Sequence, residues 1–217
     1  SGVTTINLTA KDAAKAAKST TASVEIAKGS VTLSNSTSVT VNVDDYVTYD
    51  AAATLLASKA TEITLNVDSA KNANTTPAEQ TEFNAILQAS NATNLTVNSA
   101  GNTKLAATSA LGSVQTATIV AGGTVDLGAN NVSLDAAADL TLSGTEKTSS
   151  VKLGKIGKTD MDYSTNVSAT GLKAGLTLVD IASKQDATVN LTGTTGTVSL
   201  GAIDAANVTL NAASLAG

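Results

Sequence analysis

Ile63-Thr64-Leu65-Asn66-Val67, Leu95-Thr96-Val97-Asn98 and Val208-Thr209-Leu210-Asn211 are three copies of one short cassette. Apolar and small polar residues alternate with period two, the pattern of a strand with one buried and one wet face. Looser copies stand at Val31-Thr32-Leu33, Leu140-Thr141-Leu142, Leu176-Thr177-Leu178 and Val198-Ser199-Leu200. The cassette runs the length of the chain, so the sequence describes a repetitive scaffold rather than a shell built around one pocket.

Composition agrees with that reading. The 217 residues suffice for one long domain or two small ones. Aromatic residues make up only 2% of the chain and Trp is absent, so burial must come from Val, Leu, Ile and Ala. Small, uniform side chains suit thin stacked layers better than a centre packed around large rings. There is no Cys, no His and no Arg; every basic residue is Lys. A disulfide framework, thiolate chemistry, the usual general base and the bidentate phosphate clamp are therefore all missing. The net charge of −5 argues against nucleic-acid binding and suits divalent cations. No apolar run approaches the length of a membrane span, so no membrane insertion is expected. The chain opens on Ser1-Gly2 without a signal peptide, and any targeting signal is expected outside it.

Along the chain, the spacing predicts strands at 3–9, 23–27, 30–33 and 38–43, with an Ala/Lys-rich helix over 12–19. A second helix is expected over 49–60 and a third over 77–90. The third rests on Thr76 as cap, Pro77 in the first turn and Glu79 closing a capping box, with Phe83, Ile86 and Leu87 at helical spacings. The strands near 39, 63 and 95 lie about 24 and 32 residues apart with a helix in each connection, so they should run parallel. Beyond 95 the helices fade. Strands are expected at 116–120, 124–127, 132–134, 140–142, 151–153, 176–179, 188–191, 197–200 and 208–210, with Gly-rich corners between them. Three stretches, 117–127, 140–153 and 189–200, share a strand–turn–strand plan. Roughly 20 residues per turn indicates a solenoid. Its rival is an antiparallel sandwich, whose tight Asn-Gly or Asp-Gly hairpin signals are missing. The expected fold is mainly β: a parallel β-helix or β-solenoid with short helical insertions in its N-terminal half. It divides into a mixed part over 1–94 and a regular solenoid over 95–217, or forms one continuous domain.

Candidate chemistry is sparse. Asp160-Met161-Asp162-Tyr163-Ser164 alternates oxygen ligands as calcium loops do, without the Gly and distal Glu of a full EF-hand loop. Asp44 and Asp45, with Asp50, form a second acidic cluster, and Asp135 and Asp139 a third. Asp160, Asp162, Asp44 and Asp45 are the metal candidates, with calcium as the ion; solvated loops, a strand end and helix caps are the plainer readings. Nine Asn-x-Ser/Thr sequons follow largely from composition. A carbohydrate-cleaving β-helix would use paired carboxylates, but sugar-stacking aromatics are nearly absent and no nucleophile–His pair can exist. No enzymatic activity is expected. Thr192-Gly193-Thr194-Thr195-Gly196-Thr197 has the local style of an ice-binding solenoid face, yet the run is not repeated elsewhere.

The segments "ATEITLNVDSA" (60–70), "ATNLTVNSAGN" (92–102), "AADLTLSG" (137–144) and "DAANVTLNAASLAG" (204–217) resemble the surface-layer (S-layer) proteins of Gram-negative bacteria, in particular the type I-secreted Caulobacter and Campylobacter kinds. The resemblance is one of style, and large secreted adhesins share it. The calcium-binding nonapeptide of Gly-Gly-x-Gly-x-Asp type is absent, so no calcium residue carries over. The resemblance implies an extracellular, cell-surface structural segment that self-assembles into a two-dimensional lattice, depends on calcium, and attaches to lipopolysaccharide through regions outside this segment. The alternative is a binding segment of a secreted adhesin or autotransporter passenger.

Overall fold

The computed structural model describes residues 2–8, 24–26, 30–33, 35–43, 47–49, 54–68, 82–106, 108–128, 132–213 and 215. They form nineteen strands, numbered in chain order, and no helix occurs among the described residues. Nine strands make one all-parallel sheet, here sheet A: β1 (Gly2–Leu8), β4 (Ser36–Val43), β7 (Glu62–Val67), β9 (Asn94–Ser99), β11 (Thr116–Ala121), β13 (Asp139–Gly144), β15 (Thr165–Thr170), β17 (Asp186–Thr192) and β19 (Asn207–Ala213), side by side in that order. Sheet B carries β2 (Val24–Ile26), β5 (Val47–Tyr49), β8 (Glu82–Gln88), β10 (Asn102–Leu105), β12 (Thr124–Asp126), β14 (Ser150–Ile156), β16 (Gly175–Ala182) and β18 (Thr197–Asp204). The short β3 (Ser30–Thr32) and β6 (Thr54–Leu56) join it through the second half of β8. From β9 onward the chain alternates strictly, one strand in each sheet per coil, so the fold is a parallel β-solenoid.

Every strand pairing is parallel, which removes the antiparallel sandwich. The 24- and 32-residue separations seen in the sequence are coil lengths: Val39 pairs with Ile63, and Ile63 with Leu95. The same row continues through Ala117, Leu140, Val167, Val189 and Leu210. These inward residues are buried as far as Val189, whereas Leu210, on the last strand, is half exposed. The 117–127, 140–153 and 189–200 stretches are each one sheet A strand, a corner and one sheet B strand.

The helical insertions are not observed. Residues 49–60 contain the end of β5 and all of β6. Residues 82–88, inside the expected 77–90 helix, are β8. Phe83, Ala85, Leu87 and Ala89 are all fully buried, so the working period is two. Read with Ala as a neutral residue, the same stretch shows Phe83, Ile86 and Leu87 at helical spacing; read with Ala as a core residue, it is a strand. The cap at 76–79 and the helix at 12–19 lie outside the described residues. The expected strand at 132–134 is a single bridge from Leu134 to Ile156. Besides β6 and β8, which stand where helices are expected, β5, β10 and β15 form where the sequence pattern predicts no strand.

One corner is built around Gly201. Between β16 and β18 the pairing skips from Leu178–Leu200 to Asp180–Ala202, where the strands bend. A Cβ on Gly201 would overlap the Val179 carbonyl oxygen, so only glycine permits this backbone approach.

The strand assignment of 82–88 gives a direct expectation. Ala85→Asp places a carboxylate in the core and should destabilise the chain by on the order of 4 kcal/mol. Ile86→Asp, on the half-exposed face, should cost about 1 kcal/mol. Urea unfolding of both variants checks this, and the opposite ranking would restore the helix.

Candidate functional site

The period-two cassettes send their polar positions to the outside of sheet A, and the register stacks them into three rows. The central row runs Thr40, Thr64, Thr96, Thr118, Thr141, Ser168, Asn190, Asn211. On one side stands Asn42, Asn66, Asn98, Val120, Ser143, Thr170, Thr192, Ala213. On the other stands Ser38, Glu62, Asn94, Thr116, Asp139, Asn166, Thr188, Thr209. Over these strands the outer face is mostly hydroxyl and amide, with Val120 and Ala213 as apolar members of the rows, no Lys, and three carboxylates at Glu62, Asp139 and Asp186.

The array is held by side-chain ladders. Asn66 Nδ2 donates to Asn42 Oδ1 at 2.7 Å, and Asn98 Nδ2 to Asn66 Oδ1 at 2.9 Å. Asn211 repeats the contact onto Asn190 at 2.7 Å. Asn166 donates to Asp139 at 3.0 Å and Asn207 to Asp186 at 2.7 Å, which pairs these two carboxylates with an amide one coil away. At the preceding corner Thr61 Oγ1 donates to the Thr37 carbonyl and Thr93 Oγ1 to that of Thr61, both at 3.2 Å. A groove of about 490 Å³ runs along one edge of the face, between the Asn42–Asn66–Asn98 ladder and an apolar floor that includes Val67, Ala100 and Gly122.

Sheet B differs. Lys104 pairs in register with Asp126, Asp126 with Lys152, and Lys155 with Asp180. Opposite charges therefore alternate across neighbouring strands, an arrangement that favours this register. The Thr192–Thr197 run turns a corner: Thr192 ends β17, Thr194 is buried and Thr197 opens β18, so it forms no face of its own.

The structure places Asp160 and Asp162 in the 157–164 loop between β14 and β15. Asp162 Oδ1 lies 2.6 Å from Lys184 Nζ, both side chains being exposed, and the Asp162 carbonyl accepts from Gln185 Nε2 at 3.2 Å. The loop is anchored one coil back, where Tyr163 O–H donates to the Asp135 carbonyl at 3.4 Å and Lys158 stands 3.5 Å from the Asp135 carboxylate. Partial burial pushes the Tyr163 phenol above 10, and the nearby Asp160 and Asp135 carboxylates push it the same way. Asp135 thus joins the loop, an association hidden in the sequence because the partners are a coil apart. Asp44 and Asp45 lie outside the described residues. Calcium takes six to eight oxygens. Among the described residues no group of three or more carboxylates converges, and Asp162 is engaged by Lys184. The described part of the loop does not by itself complete a calcium site.

Compared with known proteins, the chain matches no family model, no curated protein and no solved structure.

Tyr163 supplies a titration test. Its raised folded value means that its contribution to stability is present below pH 10 and is lost as pH rises through the raised value. The phenolate absorbance assigned by difference from Tyr163→Phe should appear above pH 10, and Asp160→Asn should move it back toward 10. A midpoint unmoved by Asp160→Asn would remove the Asp160 contribution.

Proposed function

We propose that the chain is a structural, extracellular segment of a self-assembling bacterial surface layer. The observation that carries this reading is the long single-direction stack itself. Each strand pairs its backbone with its neighbours, and among the described residues no group of three or more Asp or Glu side chains converges. Such a module offers geometry: two broad outer faces and a series of loops at fixed intervals. The cassette style of surface-layer proteins agrees with that design.

In this reading copies of the parent protein meet through loops and faces, and calcium acts as a bridge between copies. Asp160 and Asp162 are exposed carboxylates in one loop, and a second copy would have to add the missing oxygens and displace Lys184 from Asp162. Attachment to lipopolysaccharide belongs to regions outside this segment. The Thr- and Asn-rich face of sheet A favours a second reading, a binding segment of a secreted adhesin or autotransporter passenger, in which that face meets a ligand rather than a copy.

Electron microscopy and analytical ultracentrifugation, with calcium and with chelator, test the first reading. Ordered arrays or a calcium-dependent growth in mass are expected, weakened by Asp160→Asn combined with Asp162→Asn. A monomer in both conditions, with no arrays from the protein at high concentration, would favour the adhesin reading.

A further inference from the structure

The outer face of sheet A has a property that a lattice spacer does not require. Across β4, β7, β9, β11 and β13 its central row is Thr in every coil: Thr40, Thr64, Thr96, Thr118 and Thr141. The neighbouring row is Asn42, Asn66, Asn98, Val120 and Ser143. Neither row carries a charge over these five coils, while the Lys and Asp residues in register on sheet B lie on the other sheet. We propose that these two rows bind ice.

Three properties of these rows suit them to ice. The first is periodicity. A parallel sheet sets neighbouring coils about 4.8 Å apart and alternate residues of a strand about 6.6 Å apart. Two rows over five coils therefore form a rectangular net of oxygens and amides, on the scale of the water-oxygen repeats of an ice surface. The second is rigidity. Thr is stiff at χ1, and the Asn amides are tied to one another at 2.7 and 2.9 Å, so the net is ordered before anything binds. Preorganisation matters because each contact with water is weak and ordering it afterwards would cancel the gain.

The third is charge. Ice is an uncharged lattice, and a charged side chain holds a hydration shell that does not fit it; the ten positions have no such side chain, and the Glu62 and Asp139 carboxylates of the same face stand in the third row, outside the net. An anionic surface would call for Lys, which this face lacks over its described strands. A neutral sugar polymer would call for aromatic platforms, and the described strands of this face carry none: Phe83 is buried, Tyr163 sits on the 157–164 loop and Tyr49 lies in sheet B, while Tyr46 lies outside the described residues. A second copy packed sheet on sheet would call for interdigitating apolar side chains, and Val120 is the one apolar residue among the ten. The inference does not depend on the surface-layer reading.

Ice-crystal shaping and thermal hysteresis, measured on the chain itself, test it. The wild type should facet growing ice and depress its growth temperature. Thr96→Tyr and Thr64→Tyr, each centred in the net, should lose both effects while keeping their circular dichroism and melting temperature. Thr177→Tyr, on sheet B, should keep both effects. An inactive wild type, or full activity in both face variants, overturns the proposal. So does a wild type that leaves ice unshaped yet sediments with crystalline polysaccharide or as an oligomer, since another occupant then holds the face.

Discussion

Parallel pairing between coils, without slip, is the constraint on which everything else depends. Because side chains alternate with period two, moving one coil by a single residue would turn its Val and Leu out to water and its Thr and Asn into the core. The buried row from Val39 to Val189 and the outer row from Thr40 to Asn190 are therefore two sides of one requirement. The connections carry the variation instead. Val189 and Leu210 are 21 residues apart and Ile63 and Leu95 are 32 apart, yet both pairs sit in register. Coil length can vary in this way because closing a longer connection costs little.

The same constraint explains the composition. Stacked coils put like residues on top of one another, so one bulky side chain would have to be accommodated in every layer. Ala at 57, 60, 85, 89, 92, 117, 121, 137, 169 and 187 and Val, Leu and Ile elsewhere keep the layers thin, and among the described residues Phe83 is the one aromatic side chain in the core. Thr194 Oγ1 is buried without a hydrogen-bond partner, but other polar groups that face inward are satisfied locally. Thr103 Oγ1 donates to Ser99 Oγ at 2.9 Å and Ser99 Oγ to the Gly101 carbonyl, while Thr165 Oγ1 lies within reach of the Ala137 and Ala182 carbonyls. Such pairing keeps a buried hydroxyl from costing the fold its desolvation energy.

Those inward hydroxyls also mark where the sequence was hard to read. Asn102-Thr103-Lys104-Leu105 and Thr165-Asn166-Val167-Ser168-Ala169 lack a clean apolar alternation because Thr103 and Thr165 occupy core positions. The Val- and Leu-rich cassettes were legible at once, as were the parallel pairing and the solenoid class. The 82–88 strand was misread because Ala85 and Ala89 are core residues here. The site was less legible than the fold. The Thr and Asn rows exist only once coils 21 to 32 residues apart are placed in register. Lys184 meets Asp162, and Asp135 meets Tyr163, through the same one-coil offset.

A solenoid of this kind presents arrays rather than points, and that limits how it can recognise anything. A cleft enzyme gathers a few groups around one reacting atom, and the placement of each group is decisive. Here each coil contributes the same two or three small polar side chains, and a single hydrogen bond nets only about 1 kcal/mol. Recognition must then come from the number of coils engaged together, as in any multivalent contact where later contacts form within an existing one. Such a surface discriminates by repeat distance, because a partner with a different period falls out of step after a few coils. The Thr- and Asn-rich face of sheet A and the charge-alternating face of sheet B share one repeat, set by the backbone, and differ in the chemistry displayed upon it. A change of partner therefore needs new outward side chains and no change of fold.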